Sequence, residues 1–393
     1  MKKITTLLLF LLVPALAFTQ AKPRARDLGI PFDGTTGTLN AITDVNGIEV
    51  GHATIITGEG KVQVGVGPVR TGVTAILPRG KKSNDPVFGA WFSQNGNGEM
   101  TGTTWVEESG FVDSPVMITN THSVGIVRDA VIAWQIKNSF VPKTSSVGEV
   151  FWSMPVVAET YDGWLNDTNG FHVKKEHVFA ALDDASNGPV AEGNVGGGTG
   201  MICYGFKGGI GTASRKLDEK NGGYTVGVLV QCNCGGKNQL LIAGIPVGRE
   251  IEKDSFGYRE NEEDVGSIII VVATDAPLLP HQVKRLLRRA TMGLARTGST
   301  SGNYSGDILI GFSTANTEAQ KPSGVSQVSM LSNNQIDPLF SATAQATEEA
   351  IINAMVAAET MTGVDDHKIS AIPHDRLKEV LKKYNRLAPP SMK

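Results

Sequence analysis

Apolar residues in the first three-quarters of the chain fall in short β-branched runs. Val62–Val66, Val73–Leu77, Val116–Thr119, Thr225–Gln231, Leu240–Ile245 and Ser267–Ala273 read as strands, with Asp307–Phe312 returning as another. A period near 3.6 marks the helical segments. Gly125–Lys137 is one; Gln282–Ala295 is a second, with Val283, Leu286, Leu287, Ala290 and Leu294 on one face; Ala342–Met361 and Asp375–Lys383 close the chain. Strands that are apolar on both faces must be covered on both, so the pattern predicts sheets flanked by helices. Residues 22–38, rich in basic residues, Gly and Pro, predict a loosely ordered lead-in.

Residues 1–21 carry two lysines, an apolar run from Leu7 to Val13 and Ala15-Leu16-Ala17, the layout of a secretory signal peptide. The mature protein is therefore expected in the periplasm or secreted. No cysteine follows the apolar run to take a lipid, and no later stretch approaches the ~20 apolar residues that span a bilayer, so no membrane partner is expected once the signal is removed.

The full chain has 393 residues, 40% apolar and 19% charged, with a formal net charge of -3. No basic stripe appears, and Lys284, Arg285, Arg288 and Arg289 read as the solvated face of a helix, so nucleic acid is not an expected partner. Three cysteines, Cys203, Cys232 and Cys234, are too few for a disulfide framework and are expected as buried thiols. The histidines form no metal-binding spacing, so neither metal nor cofactor is expected. The glycine-rich stretch Gly193–Gly200 fits no dinucleotide fingerprint, and Gly235-Gly236-Lys237-Asn238 lacks the hydroxyl residue of a phosphate loop. Such glycines serve close backbone approach or tight turns.

The junction Gly266-Ser267 stands out. An acidic, turn-like stretch, Asn261 to Asp264, runs into the apolar block Ile268–Val272, with a serine opening the strand and the least hindered carbonyl before it. Ser267 Oγ attacking the Gly266 carbonyl, followed by hydrolysis of the ester, would expose an α-amine beside the hydroxyl. An α-amine has a pKa of about 8 and can serve as that hydroxyl's base. Gly-Ser before a strand also ends ordinary loops.

Several blocks separate these readings. Gly266–Leu278, Asp44–His52, Thr119–Gly125, Glu159–Asp167, Gly196–Gly200 with Tyr204–Ser214, Val228–Asn233 and Gly293–Gly298 together resemble the DmpA/BapA family of self-processing serine aminopeptidases, the β-aminopeptidases and L-aminopeptidase/D-esterases. The resemblance implies a four-layer α/β/β/α sandwich, like N-terminal-nucleophile hydrolases but with different strand connectivity. It also implies a cut between Gly266 and Ser267, giving an α chain, 22–266, and a β chain, 267–393. The substrates it implies are small peptides, amides or esters. The αβ heterodimer would assemble into a homotetramer, (αβ)4.

The resemblance further implies roles for residues. Ser267 is the nucleophile; Ser305 and Asp307, two apart on a strand and so on one face, are its partners, although the family often has Glu at the second position and Asp is one methylene shorter. Tyr161 and Asn233 are neutral donors to an oxyanion, and Glu159 binds the substrate's free amine. Read from residues alone, Ser305 and Asp307 equally fit a turn cap, Tyr161 and Asn233 satisfied buried polar groups, and Glu159 an ordinary ion pair. An acyl transferase resembling ornithine acetyltransferases and a catalytically dead periplasmic binding protein of the same fold are the competing functions.

Overall fold

The computed structural model describes residues 22–141, 146–147, 150–251 and 266–388. The signal segment, the Asn261–Asp264 turn and the α-chain end up to residue 265 lie outside them. In chain order the main strands are β1 (Glu49–Thr57), β2 (Val69–Leu77), β3 (Val87–Gly96), β4 (Phe111–Val112) and β5 (Val116–Asn120). They continue with β6 (Val156–Thr160), β7 (Gly209–Lys216), β8 (Thr225–Asn233), β9 (Ser267–Thr274) and β10 (Gly306–Ser313). Among the described residues the main helices that cover them are α1 (Val124–Lys137), α2 (Lys175–Asp183), α3 (Pro280–Arg296) and α4 (Asp337–Val356).

One sheet runs β1-β2-β5-β6 and the other β7-β8-β9-β10-β3-β4. Most neighbouring pairs are antiparallel, but β5 with β6 and β9 with β10 are parallel. Helices α1 and α2 pack on the smaller sheet, α3 and α4 on the larger. Three apolar layers fill the spaces between. Val131, Trp134 and Leu182 meet Val73, Leu77 and Met117 under the first helix pair. Ile76 and Ile118 meet Leu229, Ile269 and Ile310 between the sheets. Ile270 and Val272 meet Leu287 and Ile351 under the second pair. This is the α/β/β/α sandwich. The double burial of β9 explains its unbroken apolar run: alternate residues face the other sheet and the helices, so neither face tolerates polarity.

Several expected elements differ. Val62–Val66 is no strand; Gln63 and Gly67 bridge a tight turn, Gly65 and Gly67 take positive φ, and Val62, Val64 and Val66 face solvent. Leu240–Ile245 is likewise a turn, because Ala243 and Gly244 both lie at positive φ and fold Ile245 back on Ile242. The long C-terminal helix starts earlier, at Asp337 with Pro338 in its first turn, and ends at Val356; Met361 belongs to a short strand pairing with Ile369. Strands β1, β3 and β7, and helix α2, carry mixed polarity and are not marked by their own periodicity.

The lead-in is ordered too. Ala25 is fully buried, Arg26 pairs with Glu349 at 2.8 Å, and Arg24 pairs with Glu192 at 2.7 Å. Arg215 joins Glu349 at 2.8 Å, with both side chains almost fully buried. Basic residues that suggest a solvated leader are thus ligands of buried carboxylates. Of the α3 cations, Lys284 pairs with exposed Glu107, while Arg285 and Arg289 lie over the Phe340 ring. Among the described residues no helix is long and apolar enough to cross a membrane.

Candidate active site

Ser267 opens β9, a middle strand of the larger sheet, so it has a neighbour on each side. Asn233, the last residue of β8, stands opposite Ser267 in the antiparallel pair. Asp307, second in β10, aligns with Ile268 in the parallel pair. One end of the sheet therefore collects the end of β8 and the starts of β9 and β10.

The Gly306 N–H donates to Ser267 Oγ at 3.0 Å, and Ser267 is buried with a small exposed fraction. Ser305 Oγ donates to Asp307 Oδ1 at 2.5 Å, and both residues are completely buried. The shorter carboxylate thus holds the neighbouring hydroxyl, and the pair flanks the residue whose N–H holds the nucleophile. A simple surface turn cap would not be buried in the sheet.

Ser267, Tyr161 and Glu159 line one cleft of about 650 Å³, together with Glu99, Thr121 and Tyr304. Glu159 sits at the end of β6 and is 4% exposed. Its Oε1 accepts from the Glu99 N–H at 2.9 Å, and its Oε2 from the Thr121 hydroxyl. Burial raises its pKa, while those two hydrogen bonds oppose the rise. No lysine or arginine pairs with it among the described residues, so the ordinary ion pair is not what fills this position.

Tyr161 is half exposed, its hydroxyl lying over Gly163, where an added Cβ would stand 2.2 Å from it. Asn233 is pinned: Oδ1 accepts from Ile202 N–H at 2.7 Å, and Nδ2 donates to the Tyr161 carbonyl at 3.1 Å. A carboxamide nitrogen has two hydrogens, so one remains for another acceptor. All the residues expected at the site therefore lie at this end of the sheet or in its cleft. Thr121 and Glu99, which hold Glu159, carry no such expectation; Thr121 falls inside a family-like block, whereas Glu99 is in a loop without periodicity.

Two other blocks prove structural. Burial pushes the His52 imidazole down to about 4, so the ring is neutral at pH 7, with Nδ1 3.0 Å from Thr74 Oγ1. Gly197 lies so close to Gln231 that a Cβ would stand 2.2 Å from Oε1; the glycine-rich stretch serves close packing between the sheets. The cysteines depart from expectation. Cys203 and Cys232 form a disulfide, while Cys234 stays a buried thiol whose sulfur is 3.8 Å from that of Cys232. All three sulfurs cluster because the turn after Met201 lies against the end of β8, a proximity that the 29-residue separation hides.

Comparison with known proteins gives the family. Peptidase family S58 matches residues 40–369. A beta-peptidyl aminopeptidase, BapA, of Sphingosinicella microcystinivorans is 54% identical over 378 residues, 93% of each chain. The structure of the L-aminopeptidase D-Ala-esterase/amidase from Ochrobactrum anthropi, described as a prototype of the serine aminopeptidases and a variant of the Ntn hydrolase fold, superposes with a TM-score of 0.86 at 49% identity, covering 93% of this chain and all of that one. A Burkholderia sp. beta-aminopeptidase gives 0.83 at 46% identity, covering 92% and 99%. The chain belongs to peptidase family S58.

Proposed function

We propose that this chain is a self-processing serine aminopeptidase that releases the N-terminal residue of small peptides, amides or esters through an acyl-enzyme on Ser267. Family membership makes it a peptidase, a hydrolase, and the relatives' names support aminopeptidase action over acyl transfer or a dead binding protein. The observation that carries the reading is the shared cleft: a serine at the start of a central strand faces the same space as a buried carboxylate that no lysine or arginine pairs with among the described residues.

In the uncut chain, Ser267 Oγ attacks the Gly266 carbonyl, the amide nitrogen leaves as the acyl group shifts to oxygen, and water hydrolyses the ester. Gly266 then ends in a carboxylate and Ser267 begins with an amine. In turnover that amine accepts the Oγ proton as oxygen attacks the substrate carbonyl, the buried Ser305–Asp307 pair orienting the ammonium so formed. Asn233 Nδ2 and the Tyr161 hydroxyl donate to the developing oxyanion, a contribution of about 10²–10³ in rate per donor. The proton passes to the leaving amine, and water, activated by the same α-amine, releases the acyl group. Glu159 holds the substrate ammonium, so only a chain end with a free amine is positioned.

Export by the signal in residues 1–21 to the periplasm or medium, and assembly of the cut αβ pair into a homotetramer, complete the proposal; size-exclusion chromatography of the cut enzyme tests the latter. A panel of aminoacyl p-nitroanilides carrying β-, small L- and D-residues tests the activity. Release from at least one free-amine substrate is expected, and none from the whole panel would overturn it.

A further inference from the structure

We propose that the Cys203–Cys232 disulfide is a positioning device for the Asn233 amide, keeping its nitrogen turned toward the reacting carbonyl. The inference rests on the reading of Asn233 as an oxyanion donor. Two chain segments are laced side by side here. Ile202 N–H donates to Asn233 Oδ1 at 2.7 Å, and Tyr204 N–H donates to the Cys234 carbonyl at 2.7 Å. The disulfide lies between these two bonds, joining the residue after Ile202 to the residue before Asn233. All three cysteines are fully buried, so the bond sits within the packed layer rather than at the surface.

The orientation matters because the terminal torsion of an asparagine is soft and its two ends differ chemically. Turned one way, the amide presents donors to the cleft; turned the other, it presents a carbonyl lone pair to a developing negative charge. The Ile202 N–H, a donor, selects the first orientation because it needs the amide oxygen facing it, and the Tyr161 carbonyl, accepting from Nδ2, favours the same one. That selection holds while the Ile202 backbone stays in register with the end of β8. A sulfur–sulfur bond one residue away on each strand fixes the register covalently. The turn at Tyr204 and Gly205, both at positive φ, is otherwise joined to its neighbours by noncovalent contacts.

The first test counts thiols. Alkylation of the unreduced enzyme in denaturant should label one cysteine, Cys234, and labelling of all three would overturn the proposal. The second test is kinetic. Cys203→Ser and Cys232→Ser should each lower kcat about tenfold, a fraction of the 10²–10³ expected for losing the donor, with KM nearly unchanged. In an Asn233→Ala background the same changes should cost nothing further, because no donor remains to misalign. Additive losses would mark the bond as a general structural staple and overturn the positioning role. Self-cleavage of each variant reports that it has folded. A large loss in Asn233→Ala beside unchanged cysteine variants would overturn the lock alone; full kcat in Asn233→Ala would remove the oxyanion reading and this inference with it.

Discussion

Gly266 is pressed against the last carbonyl of β8: a Cβ built on Gly266 would stand 1.9 Å from the Asn233 oxygen. The residue before the nucleophile is therefore glycine for packing, beyond the openness of its carbonyl to attack. Gly266→Ala should displace the junction from β8 and slow cutting strongly. On denaturing gels the parent should show a C-terminal fragment beginning Ser-Ile-Ile-Ile and ending at Lys393; Gly266→Ala should stay largely whole, and Ser267→Ala entirely so. Cutting of Ser267→Ala at the same bond would show that another agent makes the cut.

Processing and turnover make different demands on the same atom. A thiol can perform the acyl shift, so Ser267→Cys should cut at least partly while hydrolysing substrate poorly. Asp307→Asn should cut and then turn over slowly, since Ser305 would donate to a neutral amide oxygen and no negative charge would remain to orient the ammonium formed in turnover. Active-site titration combined with initial rates on the cut protein checks both. Full turnover by Asp307→Asn would leave the carboxylate a purely structural group.

Glu159 carries the specificity for a free amine. Glu159→Gln should process normally but lose about 30-fold in kcat/KM, from a hydrogen bond to a charged group of ~1.5–3 kcal/mol. N-acetylated substrates should be nearly inert with the parent and escape most of the mutant's penalty. The sign of the pH effect follows from burial. Because the Glu159 pKa is raised, its charge, and with it ammonium binding, is present above that pKa and lost as pH falls through it, earlier than for an exposed glutamate. The acid limb of kcat/KM should move to lower pH or vanish in Glu159→Gln. An unchanged limb would assign it to another group.

Arg26 and Arg215 both reach Glu349, so the expected α and β chains are joined by a buried ionic cluster. Glu349→Gln would leave the Arg215 guanidinium, 1% exposed, without its carboxylate. A loss of about 3–5 kcal/mol in stability is expected, read as a lowered Tm by calorimetry, with self-cleavage intact. A Tm equal to the parent's would show that the cluster contributes nothing net.

How much was legible in the sequence differs from element to element. Strand β9 announces itself because it is buried on both faces, and α3 because one face is buried and the other wet; in each case a short-range pattern encodes the burial directly. The Gly266-Ser267 junction stands out locally but equally ends an ordinary loop, so resemblance decides between the two readings of Ser267 and supplies the roles of Ser305, Asp307, Tyr161, Asn233 and Glu159. Tertiary structure decided the rest. It set Asn233 against Ser267 and Asp307 beside Ile268 through strand pairing across gaps of 34 to 39 positions. It bonded Cys203 to Cys232, turned Val62–Val66 outward, and tied Arg26 to Glu349. Periodicity reports what a residue's own element buries. It carries no information on which distant element arrives to do the covering, because that depends on the packing of layers that meet only after the chain has folded.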